Sequence, residues 1–404
     1  MKKLGILSAV CFLLASFVTL SNATQKIISF DYSITNKQNG EKDIQSIEGK
    51  IVRELKIINA IVAEFPDYVK DATIYKISGV TNVEEDTYLN WLKSEAKSFA
   101  DINIPSMKEM MTGIEIANEE VPVSIPSNKN PKEEQNGEIP WGIARVKAES
   151  AWNTTQGEGV KVAIVDTGAT FSHPDLAANY AGGYNAINPE LAPTDDHGHG
   201  THVAGTIAAI KDGKGVVGVA PKASLYGVKV LDGAGGGSYS SIIAGIEWCV
   251  DNGINVINMS LGGRYSIESF HAAVKVATEK GITIVCAAGN DSGPVNYPAK
   301  YAETIGVSAS NSSDALAYFS SRGPEIDFIA PGYNVYSTAK DGTYTTMSGT
   351  SMSCPHVAGL AALAVSLGNN TPEAVKTSLT NAAVDIGLEV NLQGAGMIEA
   401  GKIK

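Results

Sequence analysis

Cysteine is scarce in this chain of 404 residues: four in all, one of them within the first 23. The other three, Cys249, Cys286 and Cys354, are an odd number, which excludes a disulfide framework. Each has apolar or small neighbours, so they read as buried small hydrophobes. Basic charge is also in short supply, with 31 Lys and Arg against 43 Asp and Glu, a net charge of −12. A nucleic-acid partner needs a concentrated basic footprint, and none is present. After the first twenty-odd residues no apolar run is long enough to cross a bilayer. Glycine and histidine are missing from one end. Of 41 glycines only Gly5, Gly40, Gly49, Gly79 and Gly113 precede residue 131, and every histidine lies beyond it. Two compositions are joined end to end, and the second is rich in tight turns.

Lys2 and Lys3 precede an uncharged, mostly apolar run over 4–20 that ends in Ser21-Asn22-Ala23. That pattern reads as a signal peptide over 1–23, cleaved after Ala23. An uncleaved anchor is the alternative, and cleavage leaves an exported chain with no membrane attachment. Residues 24–124 form a glycine-poor α+β segment. A strand is expected at 26–32, mixed β and helical patterns at 50–65, and an amphipathic helix with aromatic anchors at 87–98. The segment has no metal cluster, no nucleophile beside a base and no phosphate loop. Residues 125–138, charged and proline-containing with little to bury, read as a linker open to proteolysis.

Residues 139–404 alternate strands (160–165, 224–231, 254–259, 282–286) with helices (201–210, 239–251, 267–280, 353–367), the third helix capped by Ser266. Near-continuous Val/Ile strands spaced by amphipathic helices indicate an α/β fold, a parallel sheet with helices on both faces. In such sheets functional groups gather at the carboxyl ends of the strands. The unusual residues fall there. Asp166 closes the first strand, where a carboxylate is either a turn or cap residue or a working group held by hydrogen bonds. His197, His199 and His202 open a helix; His199 and His202 stand at i and i+3, but a metal site lacks a third ligand. Ser351 sits at a helix start, as a simple cap or as a nucleophile favoured by free N–H groups and the helix dipole. Asn290, in Ala-Ala-Gly-Asn at another strand end, offers a side-chain amide donor. Serine needs a base, and histidine needs a carboxylate to fix its tautomer. Asp166, His199 and Ser351 supply those three kinds in that order.

The motifs DTG at 166–168, HGTHVAGT at 199–206, NMSLGG at 258–263, AAGN at 287–290 and GTSMSCPH at 349–356 resemble those of the subtilisin-like serine proteases. The likeness runs in order from about Ile139 to Gly401. The segment GKIVRELKIINAIVAEF at 49–65 resembles, less specifically, the inhibitory propeptide of that family. The resemblance implies a subtilisin-like peptidase domain over 139–404, preceded by a ferredoxin-like propeptide domain that acts on its own chain as folding aid and inhibitor. It implies Ser351 as nucleophile, His199 as base then acid, Asp166 as its orienting carboxylate, and Asn290 with the Ser351 N–H as oxyanion hole. Ser260, Leu261 and Gly262 on one side, with Gly235 and Gly237 on the other, would pair with a polypeptide substrate as an added strand, and Tyr239 would wall an apolar subsite. A structural calcium ion is implied as well, held by Asp175, Asp212 and the carbonyls of Ile210, Lys214 and Val216.

Two positions depart from the family pattern. The stretch from Asn290 to Tyr297 is short, and Asn296 stands where a small residue is usual. Cys354, three residues past the nucleophile, reads as packing. The expected protein is a secreted, monomeric, self-processing endopeptidase of broad specificity with an apolar preference. A narrow processing protease is the alternative. A catalytically silent binding protein on the same fold would have lost one of the three catalytic residues, and none is lost.

Overall fold

The computed structural model describes residues 23–92 and 138–404. The expected signal segment apart from Ala23, residues 93–124 with the second half of the helix expected at 87–98, and nearly all of the linker lie outside these residues.

Residues 23–85 build β1 (Ala23–Phe30), α1 (Lys37–Ser46), β2 (Lys50–Leu55), β3 (Ala60–Pro66), α2 (Asp71–Ile74) and β4 (Val80–Glu85). The four strands form an antiparallel sheet in the order β2-β3-β1-β4, the ferredoxin-like arrangement. The ambiguous stretch 50–65 is a strand pair turning through Asn59 at φ 52°. Its pattern reads as mixed because both faces of the sheet are covered. Ile27, Leu55, Ala60 and Val62 join the core of the larger unit, while Ile28, Ile61, Ala63 and Phe65 pack with Ile44 and Ile74 of the helices. With no solvated face, strict alternation is lost.

The helix expected at 87–98 is not formed in its described part. Residues Tyr88–Asn90 are instead an extended strand, β5, paired with a strand of the larger unit. Its aromatic residues are anchored across the chain, and such tertiary contacts override local pattern.

The larger unit runs α3 (Trp141–Arg145), β6 (Lys161–Asp166), α4 (Pro174–Ala177), β7 (Tyr180–Asn185), α5 (His199–Ala208), β8 (Ser224–Lys229), β9 (Gly236–Ser238), α6 (Tyr239–Asp251), β10 (Val256–Met259), α7 (Glu268–Glu279), β11 (Thr283–Ala287), β12 (Ile305–Ser310), β13 (Phe328–Pro331), β14 (Val335–Thr338), β15 (Tyr344–Met347), α8 (Thr350–Ser366), α9 (Pro372–Ala382), β16 (Ala383–Val384), α10 (Val390–Gln393) and β17 (Met397–Ile398). Nine strands form one sheet, β16-β17-β13-β12-β11-β10-β6-β8-β7, parallel except where β16 meets β17. Successive strand residues face opposite layers, as a period of two requires. Val162, Ile164, Val256 and Val285 pack with α5 and α8, whereas Ala163, Val165, Ile257 and Ile284 pack with α6 and α7. Helix α8 is buried from Thr350 to Ala364, which is why it is apolar on every side. Cys249, Cys286 and Cys354 are buried free thiols, as expected.

Ser266 does not cap α7. The residue at the cap position is Ile267, without a side-chain bond, and the Ser266 hydroxyl bonds the Tyr301 hydroxyl. The free N–H groups of Glu268 and Ser269 donate to the Glu84 carboxylate of β4, at 2.6 and 2.9 Å. Asp86 serves α6 in the same way, accepting from the N–H and hydroxyl of Ser240 at 2.8 and 2.6 Å. The Ile57 N–H donates to Glu247 of α6 at 3.0 Å. The small unit is thus fastened to two helix starts of the large one by carboxylates.

Candidate active site

β6 lies between β8 and β10; the chain runs from it to β7 and β8 on one side and then crosses to β10 on the other. Such a switch opens a crevice at the carboxyl ends of the strands. Asp166, the last residue of β6, is fully buried. Its Oδ1 accepts from the Thr167 N–H at 2.7 Å and from His199 Nδ1 at 2.7 Å. An ionised carboxylate can only accept, so Nδ1 carries the ring proton and Nε2 presents its lone pair.

His199 begins α5, and the helix start is pressed against the turn after β6. A Cβ built on Gly200 would sit 2.0 Å from the Gly168 carbonyl oxygen, so only glycine permits this approach. Asp195 ties the same region together. It accepts from the Thr167 hydroxyl, from the His197 and Gly198 N–H groups, and from both the N–H and hydroxyl of Thr201. His202 points elsewhere, with Nε2 3.0 Å from the Val335 carbonyl, and burial lowers its pKa to about 3. The three histidines do not converge. Among the described residues no group of three His, Cys, Asp or Glu side chains forms a metal cluster.

Ser351 lies in the first turn of α8. Its hydroxyl donates to the Ser260 carbonyl at 3.2 Å, and the Ser260 hydroxyl donates back to the Ser351 carbonyl at 2.8 Å. Pro355 explains the second bond. It occupies the position whose N–H would have closed the helix on Ser351, and proline has none to give. Ser260, directly after β10, fills the vacancy, with Asn258 Nδ2 donating to its hydroxyl at 2.9 Å.

Asn290 follows β11. Its Oδ1 accepts from the Thr350 N–H at 2.7 Å and hydroxyl at 2.9 Å, which orients the amide. A Cβ placed on Gly349 would lie 3.3 Å from Asn290 Nδ2 and 3.6 Å from the Ser351 nitrogen. The two nitrogens therefore lie near one point at Gly349, a pair of donors of the kind that can stabilise a developing oxyanion.

The crevice holds part of the chain itself. β5 pairs antiparallel with β9, Leu89 opposite Gly237 and Asn90 opposite Gly236. The Trp91 N–H then donates to the Gly235 carbonyl at 2.9 Å, and the Gly262 N–H donates to the Trp91 carbonyl at 3.3 Å. The Trp91 ring stands edge-on to Tyr239 with centroids 5.1 Å apart and to Phe270 at 6.1 Å, its Nε1 donating to the Gly237 carbonyl at 2.9 Å. Gly235, Gly237, Tyr239 and Gly262 therefore all touch one extended segment. Leu261 is buried in the same apolar cluster as Trp91 and Leu92. Phe270 is a wall that the sequence reading missed, because its place on α7 is set by packing. Asn296 lies against both Gly289 and Gly262, with its amide nitrogen 2.4 Å from a Cβ built on Gly289.

The residues expected to hold calcium surround the 210–216 loop. Asp175 is 3 % exposed, and among the described residues no lysine or arginine pairs with it. Its oxygens accept from the Val216 N–H at 2.9 Å and the Tyr344 hydroxyl at 3.1 Å, while its carbonyl accepts from Ile210 at 2.9 Å. Asp212 accepts from the Lys214 N–H at 3.0 Å. Glu138, not anticipated, accepts from the N–H groups of Asp212 and Gly213 at 3.1 and 2.7 Å. A buried carboxylate without a counter-cation beside a loop rich in carbonyls fits a hard, oxygen-ligated ion.

The model of the subtilase family matches residues 157–396, which include all four candidate catalytic residues. Subtilisin Savinase of Lederbergia lenta is 45 % identical over 265 residues, covering 65 % of this chain and 97 % of its own length. M-protease of Shouchella clausii (strain KSM-K16) shows the same 45 % identity over 265 residues, 65 % of this chain and 69 % of its own. Subtilisin E of Bacillus subtilis (strain 168) is 50 % identical over 235 residues, 56 % of this chain and 61 % of its own. With that match spanning the parallel sheet and the paired Asp166 and His199, the chain belongs to the subtilase family and is a subtilisin-like serine endopeptidase.

Proposed function

We propose that this protein is a secreted endopeptidase made as a self-processing zymogen, whose residues 24–124 assist folding and then block the cleft. The observation that carries this reading is the strand Tyr88–Asn90 and the Trp91 that follows it, laid along β9 and Gly262 as a polypeptide substrate would lie. The carboxylates Glu84 and Asp86 hold the blocking unit on α7 and α6.

In the reaction, His199 Nε2 takes the proton of the Ser351 hydroxyl as the oxygen attacks the peptide carbonyl. Asn290 Nδ2 and the Ser351 N–H hold the negative charge that forms on the carbonyl oxygen. Asp166 keeps the ring in place and stabilises the imidazolium, which then protonates the leaving amine. Water repeats the sequence on the acyl-enzyme and releases Ser351. Ser260, Leu261 and Gly262 with Gly235 and Gly237 frame the substrate strand, and Tyr239 walls an apolar subsite. The Trp91 pocket supports broad cleavage with an apolar preference. Asp175, Asp212 and the carbonyls of Ile210, Lys214 and Val216 would hold calcium, which would stiffen the 210–216 loop.

Expression of Ser351→Ala tests the reading. The variant is expected to leave an uncut, inactive precursor, while the parent chain releases a shorter secreted enzyme whose first residue N-terminal sequencing identifies. A Ser351→Ala chain that matures when expressed alone would refute self-processing. Peptide-library profiling checks specificity, and a single tolerated sequence would establish the narrow alternative.

A further inference from the structure

One histidine of the cluster at 197–202 has no part in the triad and none in the core. His197 is half-exposed, two residues before the catalytic base, and its ring stands nearly perpendicular to that of His199 with centroids 6.2 Å apart. Its Nδ1 is buried without a hydrogen-bond partner among the described residues, so none of them anchors that nitrogen. The backbone, by contrast, is fixed. The Asp195 carboxylate accepts from the N–H groups of His197 and Gly198 at 3.0 and 2.7 Å, and Gly198 turns the chain at φ 112°. The ring is held beside His199 by the loop rather than by a bond of its own.

The other charges around it are committed. Asp166 is bonded to His199, and Asp195 is enclosed by the N–H and hydroxyl donors of Thr167 and Thr201. The Asp196 carboxylate is paired with Lys229 Nζ at 2.7 Å. Lys340 donates to the Asp196 carbonyl at 2.6 Å, and its stem lies 3.5 Å from a Cβ built on Gly198. Imidazole is the side-chain type that gains its proton near neutrality.

We propose that His197 is a positioning residue that sets the charge felt by His199 and so keeps the catalytic base neutral further into acid. A proton on His197 places a positive charge beside a ring that must itself stay uncharged to act as base. The repulsion disfavours a second proton on His199. A unit charge at the observed 6.2 Å, screened by an effective dielectric of roughly 40–80, moves the neighbouring titration by about half to one pH unit. The two rings then titrate as a coupled pair, and the acid side of the activity profile is stretched over more than one proton.

The inference rests on His199 being the base. The test is kcat/KM against pH, from about pH 5 to about pH 9 at low ionic strength with an uncharged peptide, since this profile reports groups on the free enzyme. His197→Asn should raise the acid-limb midpoint by about half to one unit and sharpen it to one proton, leaving the alkaline plateau within about twofold. His197→Lys, with a permanent cation, should hold the midpoint at or below that of the parent. Superimposable acid limbs in all three proteins would overturn the proposal while leaving the triad intact. If Ser351→Ala kept activity, the triad reading itself would have failed. Should neither His197 variant fold, carbon-13 histidine NMR of the parent enzyme decides the matter. Mutually biphasic titrations of His197 and His199 are expected, and independent single-step curves would exclude coupling.

Discussion

At the scale of single residues, the site is a set of groups each held by a neighbour of opposite hydrogen-bonding character. Asn290 shows the consequence most directly, because Thr350 takes its carbonyl oxygen from two sides and leaves only the amide nitrogen for chemistry. Asn290→Ala is expected to lower kcat by at least about tenfold with KM little changed, the mark of a bond made chiefly in the transition state. A change confined to KM would contradict that role. These residues were legible in the sequence because each sits at a strand end or helix start inside a short motif resembling those of the family. Their supports were not. That Ser260 would fill a carbonyl left open by Pro355 follows only once α8 is seen to begin against the end of β10. Asp195 stands among polar residues with no local sign of its role, yet it ties the start of α5 to the turn after β6.

At the scale of elements, the small unit is attached by helix capping and one aromatic plug. Neutralising Glu84 and Asp86 together as Gln and Asn removes the charge from two caps, each cap bond being worth about 1 kcal/mol. The isolated unit carrying both changes is therefore expected to inhibit the mature enzyme at least about tenfold more weakly. Trp91→Ala empties a pocket shared with Tyr239 and Phe270 and should weaken inhibition by about 2 kcal/mol or more, roughly thirtyfold. Inhibition constants unchanged in both variants would show that the cleft strand contributes nothing to binding. The strands and helices of the large unit were readable because Val/Ile runs and 3.6-residue periods agree with the burial they receive. Residues 87–92 misled because their apolar spacing is answered by another part of the chain, and Ser266 misled because its helix start is capped from 184 residues away by Glu84.

At the scale of the whole molecule, burial sets the response to acid. Burial lowers His202 to about 3 and His356 to about 4, against about 6.5 in an unfolded chain. The folded state therefore binds these protons less tightly, so the stabilisation is present above about pH 6.5 and lost as the pH falls toward 4 and then 3. The urea midpoint of Ser351→Ala, which cannot digest itself, should fall between about pH 7 and about pH 5, each histidine contributing up to about 1.4 kcal/mol per pH unit. Equal midpoints would contradict the assignment. Chelation should lower the melting temperature of the same variant if the Asp175 loop binds calcium only when folded, and no shift with EDTA would remove the metal from the account. The ferredoxin-like unit and the parallel sheet were both foreseeable, whereas the way they lock together was not, since it is written in carboxylates that locally look solvated. The three buried thiols have a practical consequence. Burial raises the pKa of each, and none is tied to another, so a thiol reagent finds no thiolate until the sheet opens. The rate of thiol labelling in the inactive variant is thus a clock for opening of the core, one that needs no cysteine beyond the three the core already holds.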